Sequence, residues 1–144
     1  MQTKVRCRAN RGFLPEYKSP GAAGADLKAD VPGQVRLKPG ERGIIPTGVW
    51  LQIPEGYEAQ VRPRSGLAAK HGVTLMNSPG TIDSDYRGEI QVILVNMGIQ
   101  DFIIERFDRI AQLVLSPVSR AEFEISDVLE ESSRGESGFG STGV

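Results

Sequence analysis

Residues 34–62, QVRLKPGERGIIPTGVWLQIPEGYEAQVR, decide the architecture. Three runs of alternating or β-branched character (34–37, 43–53 and 57–62) are separated by Pro39-Gly40 and Pro54-Glu55-Gly56. Pro presets φ for a turn and Gly accepts positive φ, so each break reads as a chain reversal. Outward from this stretch the rhythm continues. Residues 89–96, 102–105, 109–115 and 121–125 read as further strands, with turns at Pro32-Gly33, Ser78-Pro79-Gly80 and Asn96-Met97-Gly98. Short strands at this spacing predict an all-β sandwich, jelly roll or barrel. One short helix is expected from Ser65 to Lys70 or His71, with Ser65 capping the amides that follow and Gly72 closing it. No repeat, heptad or linker divides the chain, so residues 1–144 read as one domain. Residues 131–144 hold four Gly and four Ser around one aromatic, Phe139. That tail is expected to be mobile until something orders it.

Composition narrows the chemistry. Apolar residues are 39% and charged residues 24% of the chain, inside the globular range, so neither disorder nor a membrane span is expected. A net charge of -1 lacks the basic excess that a nucleic-acid polymer demands of its partner. Arg outnumbers Lys by 12 to 5, and Arg is the better bidentate partner for phosphate and carboxylate. Cys7 is the only cysteine, which rules out an intrachain disulfide and a Cys-based zinc cluster. His71 is the only histidine, so multi-His metal sites and His-pair acid–base schemes fall away. Acid–base work is left to carboxylates. The first ten residues carry Lys4, Arg6 and Arg8 without an apolar core behind them, unlike a signal or transit peptide, and a cytoplasmic protein is expected.

Five turn-rich segments carry a high density of ligand-ready groups: AGADLK at 23–28, PRSGLA at 63–68, NSPGTIDSDYRGE at 77–89, RIAQL at 109–113 and RGESGFGSTG at 134–143. In order and rough spacing they resemble the five motifs of the trimeric dUTPase family, from Ala23 to Gly143. The resemblance implies a distorted jelly-roll or β-clip domain that assembles as a homotrimer, each site built from more than one subunit. It also implies hydrolysis of dUTP to dUMP and pyrophosphate with Mg2+, which keeps uracil out of DNA and supplies dUMP for thymidylate synthesis.

Each segment has its own chemistry. Arg64 can fork two donors onto a phosphate, Ser65 adds a hydroxyl and the Gly66 amide opens a helix. In the 77–89 segment, a turn followed by extended Thr81-Ile82 reads as a hairpin with its functional groups near the turn. Free backbone groups there can read the edge of a pyrimidine, and Asn77 offers both donor and acceptor. By resemblance Asn77, Thr81, Ile82 and Asp83 line the base and sugar site, Gly80 and Gln91 also bind the substrate, and Tyr86 packs on deoxyribose so that a 2′-hydroxyl does not fit. The resemblance gives Asp83, rather than Asp85, the task of orienting and deprotonating the attacking water. Asp26 stands among small residues, and one carboxylate makes no magnesium cage; the family implies that it holds the ion through water. Gln112 is implied to reach the phosphates while Arg109 supports the site. In the tail, Phe139 is implied to stack on uracil, with Arg134, Gly140, Ser141 and Thr142 around the outer phosphates. Relatives that deaminate dCTP share the trimeric plan but are longer and use a Glu on the ring. A regulatory member would be marked by loss of Asp83 or of the tail, and both are present.

Overall fold

A computed structural model describes residues 2–144 of the protein. Among them, ten strands and one helix follow in the order β1 (Arg6–Ala9), β2 (Ala25–Lys28), β3 (Val35–Leu37), β4 (Arg42–Gln52), β5 (Tyr57–Arg62), α1 (Ser65–His71), β6 (Val73–Leu75), β7 (Gly80–Ile82), β8 (Glu89–Asn96), β9 (Phe102–Ile104) and β10 (Arg109–Pro117). The strands form an antiparallel sheet β1-β4-β8-β6, a second β2-β10-β5-β7, and a ribbon β3-β9. One core unites them: Ile45 and Val49 of β4, Ile90, Val92 and Leu94 of β8, Leu27 of β2, Val61 of β5 and Ala111 of β10 are all buried in it. The all-β class expected from the turn spacing, and the jelly roll that the resemblance implies, are what the fold shows.

Alternation explains the central strands. In β8, Ile90, Val92 and Leu94 point into the core while Gln91 and Ile93 face outward. β4 carries a bulge: Pro46 pairs with Gln91 and Trp50 with Glu89, so four steps on β4 (46 to 50) match two on β8 (91 to 89). The Thr47 hydroxyl, buried at this bulge, donates to the Ile90 carbonyl. Asn96 ends β8 fully buried and ties the large sheet to the ribbon. Its amide donates to the Leu37 carbonyl at 2.9 Å and the Gln100 carbonyl at 2.7 Å, and its oxygen accepts from the Gly98 N–H.

Several expectations are corrected. Residues 77–89 form no two-stranded hairpin, because β7 pairs with β5 whereas β8 pairs with β4 and β6. The segment between them crosses from one sheet to the other. β8 is apolar enough to take a central position with both edges paired, and Gly80 lets β7 lie close on Val61 of β5. Residues 121–125 are not a strand: the alternation is there, but the segment pairs with no other strand, and Phe123 and Ile125 stand almost fully exposed. Ser65 does not cap α1. Arg64 occupies the N-cap position with extended φ and ψ and no side-chain cap hydrogen bond, which leaves the Ser65 hydroxyl one residue too far along. Gly72 closes the helix in the left-handed region, as expected. Asp26 lies on a strand, β2, paired to β10, and β1 and β6 are further strands that the alternation did not announce.

Candidate active site

The first cluster forms where β2, β10 and β5 run side by side. Gln112 of β10 lies opposite Asp26 on one flank and Arg62 on the other. Ala25 and Leu27 face the core, so Asp26 faces outward into a crowded corner, its side chain only 12% exposed. Arg109 Nη1 lies 3.4 Å from one Asp26 oxygen and Arg64 Nε 3.9 Å from the other. Arg64 Nη1 also donates to the Arg109 carbonyl at 3.1 Å, and Gln112 Nε2 donates to the Pro63 carbonyl at 3.1 Å. The polar residue inside β10 therefore has its partner. Gly24 makes the arrangement possible, since a Cβ there would overlap the Gln112 side-chain amide. Ser65 and Gly66 lie exposed at the start of α1. With seven residues, that helix contributes a weak dipole, and the donors that matter are the two guanidinium groups.

The second cluster lines a pocket of about 220 Å³. Thr81 and Ile82 of β7 form one wall and Asp83, Tyr86, Glu89 and Gln91 the rim. Ile44 of β4 and Ile93 of β8 add apolar lining. Because β7 is the edge of its sheet, alternate residues turn their N–H and C=O groups away from β5, free to bond a ligand. The Tyr86 hydroxyl donates to the Glu89 carbonyl at 2.9 Å, and a Glu89 carboxylate oxygen accepts from the Gly48 N–H at 2.9 Å. Asp83 lines this pocket whereas Asp85 does not. Asn77 lies at the far end of β7, its amide packed over Gly80. Beyond Asp83 a larger open depression of about 1020 Å³ carries Lys4, Arg6, Arg87 and Arg120 against Glu55, Glu58, Asp83 and Asp85. Equal numbers of each sign give it no preference for a polyanion.

Strand register separates the two clusters. Ala59 pairs with Ile82, which sets Asp83 beside Glu58, whereas Gln112 pairs with Arg62. The four residue steps from Glu58 to Arg62 span about 13 Å, and Arg64 lies beyond them. Within one chain, Asp83 therefore does not meet Arg64, Gln112 or Asp26. Nor does the tail approach either cluster. Arg134 Nε donates to the Ser137 carbonyl and the Ser141 N–H to the Gly138 carbonyl, both local bonds, while Phe139, Gly140, Ser141 and Thr142 are exposed. Glu89, Ile44 and Ile93 were not singled out from sequence. Outward alternation on β4 and β8 was the available signal for the two isoleucines, whereas nothing local revealed the Glu89 contact with Gly48.

Known proteins resemble this chain over most of its length. The dUTPase family model matches residues 10–143. The deoxyuridine 5′-triphosphate nucleotidohydrolase of Chlamydia pneumoniae is 63% identical over 134 residues, covering 92% of each chain. That of Syntrophotalea carbinolica is 57% identical over 140 residues, covering 97% of this chain and 95% of its own. In three dimensions the chain resembles a Staphylococcus bacteriophage 80alpha dUTPase with dUPNHPP, with a TM-score of 0.88 and 28% identity over 99% of this chain and 100% of that one. No helix among the described residues is long and apolar enough to cross a membrane. With a family match that spans most of its length and relatives this similar, the chain belongs to the dUTPase family.

Proposed function

We propose that the protein hydrolyses dUTP to dUMP and pyrophosphate in a homotrimer whose sites combine the Asp83 pocket of one subunit with the Arg64 cluster of another. The observation that carries this reading is the pocket beside an edge strand in which Asp83, Tyr86 and Gln91 converge. Unpaired backbone groups of β7 suit the hydrogen-bonding edge of uracil, and matched donors and acceptors reject cytosine more strongly than an apolar slot can. At about 220 Å³ the pocket suits a base and sugar rather than a whole triphosphate. The separation of Asp83 from the Arg64 cluster supports a shared site, because the base and the phosphate binders must flank one substrate. The unpaired, apolar 121–129 stretch, with Phe123, Ile125, Val128 and Leu129 exposed, supports the same assembly.

In this mechanism Asp83 orients a water in line with the α-phosphorus and takes its proton as the bond to the leaving pyrophosphate breaks. Arg64, Ser65 and Gln112 hold the phosphates. Arg109 keeps Asp26 in place, and Tyr86 bars a 2′-hydroxyl. The tail, residues 131–144, closes as a lid that lays Phe139 on uracil and brings Arg134, Ser141 and Thr142 to the outer phosphates. The donor set fits Mg2+ held indirectly. Among the described residues no three His, Cys, Asp or Glu side chains converge, so Asp26 would hold the ion through water while phosphate oxygens complete its shell. Mg2+ bound there supplies positive charge against the leaving pyrophosphate.

Pyrophosphate release measured across dUTP, dCTP, dTTP and UTP should be confined to dUTP. Comparable turnover of dCTP or UTP overturns the assignment. For the shared site, Asp83→Asn and Arg64→Ala proteins, each inactive alone, should regain activity when co-refolded, since mixed trimers contain sites with both residues intact. No recovery in a mixture shown by light scattering to contain mixed trimers returns both residues to one subunit.

A further inference from the structure

A chain of contacts leads from the back of β4 to the rim of the pocket. Gly48 sits at the β4 bulge with φ of +68°, where a Cβ would lie 2.7 Å from an Asp30 carboxylate oxygen. Asn10 donates to that same Asp30 oxygen at 2.8 Å, and the Asn10 N–H donates to the Gly48 carbonyl at 2.9 Å. The bulge is thus held from behind, and only glycine fits it. On the other side its N–H fixes the Glu89 carboxylate. The Glu89 carbonyl in turn accepts from the Tyr86 hydroxyl. Gly88 lies between these two residues, and a Cβ there would overlap the Tyr86 hydroxyl and ring. Tyr86 is therefore folded back over Gly88 and fastened at its tip.

We propose that Glu89 is a positioning residue which, by fastening the start of β8 to the β4 bulge, holds Tyr86 where it excludes a ribose 2′-hydroxyl. The inference rests on the dUTP-hydrolysing reading above. The Glu89 side chain bonds the Gly48 amide, and its backbone bonds the Tyr86 hydroxyl, so one residue couples the scaffold to the sugar wall. Freed from Gly48, the start of β8 can shift, and Tyr86 with it. The space gained lies on the sugar side of the pocket, which penalises dUTP binding and admits UTP. Chemistry at Asp83 is not involved.

The test is the ratio of kcat/KM for dUTP over that for UTP in the intact oligomer. Glu89→Leu should lower the ratio about tenfold, the scale of one lost polar contact, chiefly through KM. Glu89→Gln keeps an amide oxygen for the Gly48 N–H and should recover most of the ratio. In Tyr86→Phe the fastening is already lost, so adding Glu89→Leu should cost little more. An unchanged ratio in Glu89→Leu, an equal loss on both nucleotides, or full additivity with Tyr86→Phe overturns the proposal. Where Glu89→Leu does not fold, an unchanged ratio in Tyr86→Phe overturns it. Calorimetric affinities for dUMP and UMP on the same variants read the sugar preference without turnover. A wild-type protein that prefers dUMP yet releases no pyrophosphate refutes the hydrolase reading while leaving this one standing.

Discussion

The rim of the pocket and the C-terminal tail both carry ligand-ready side chains, yet they lie at opposite physical extremes. At the rim, Tyr86 is bonded to the Glu89 carbonyl and Glu89 to the Gly48 amide, while Thr47 is bonded to the Ile90 carbonyl. In the tail, Phe139, Ser141 and Thr142 are exposed and the hydrogen bonds are local. Groups held by the scaffold lose little freedom when a ligand binds; in the proposed mechanism, groups on the Gly- and Ser-rich tail must be ordered at that moment, at roughly 1–2 kcal/mol per residue fixed. The rim is suited to deciding which nucleotide enters. The tail suits a step that only a complete triphosphate can drive.

The largest expected effect lies at the rim. Asp83→Asn should lower turnover about a hundredfold or more, with nucleotide affinity kept within about tenfold, whereas Asp85→Asn should do far less. Steady-state kinetics beside calorimetry separates the two, and the reverse order would move the base to Asp85. Next comes truncation after Ser133. It should leave the oligomer folded and dUMP affinity unchanged while dUTP turnover falls about ten- to a hundredfold, through lost phosphate positioning and water exclusion. Amide exchange in the intact tail should be fast in the free protein and with dUMP, and slow with a non-hydrolysable dUTP analogue. Equal protection in all three states would erase the contrast between the two regions.

The smallest effect is expected at Glu16, a surface acid that belongs to neither region. Its hydrogen bond from Lys18, reinforced by the charges of Lys18 and Lys28, holds its carboxyl below the usual carboxylate range. A depressed folded-state pKa stabilises the protein above the unfolded carboxylate's pKa and ceases to do so as pH falls through the folded value. Glu16→Gln should therefore lower Tm slightly at neutral pH, not at all once pH falls below the folded value, and not in high salt. A large shift that survives high salt would mean that Glu16 braces β2 through its backbone bond to Asp26 rather than through charge.

The turns, the all-β class, the long strands and the five motif segments were legible in the sequence alone. These are written in local signals: Pro and Gly where φ must be special, and a period of two wherever one face is buried. Some of the short strands escaped it. β2, with Ala25 and Leu27 among small residues, and three-residue β6 draw their stability from partners on β10 and β8 rather than from their own composition. The folded chain, not any local stretch, places β7 and β8 in different sheets, leaves residues 121–125 without a pairing partner, and puts Arg64 rather than Ser65 at the N-cap. It alone brought Gly48 to Glu89 across 41 residues of sequence and kept Asp83 apart from Arg64. Pairing and register are set by which apolar faces can be buried together, a property of the whole core that no local stretch of sequence contains.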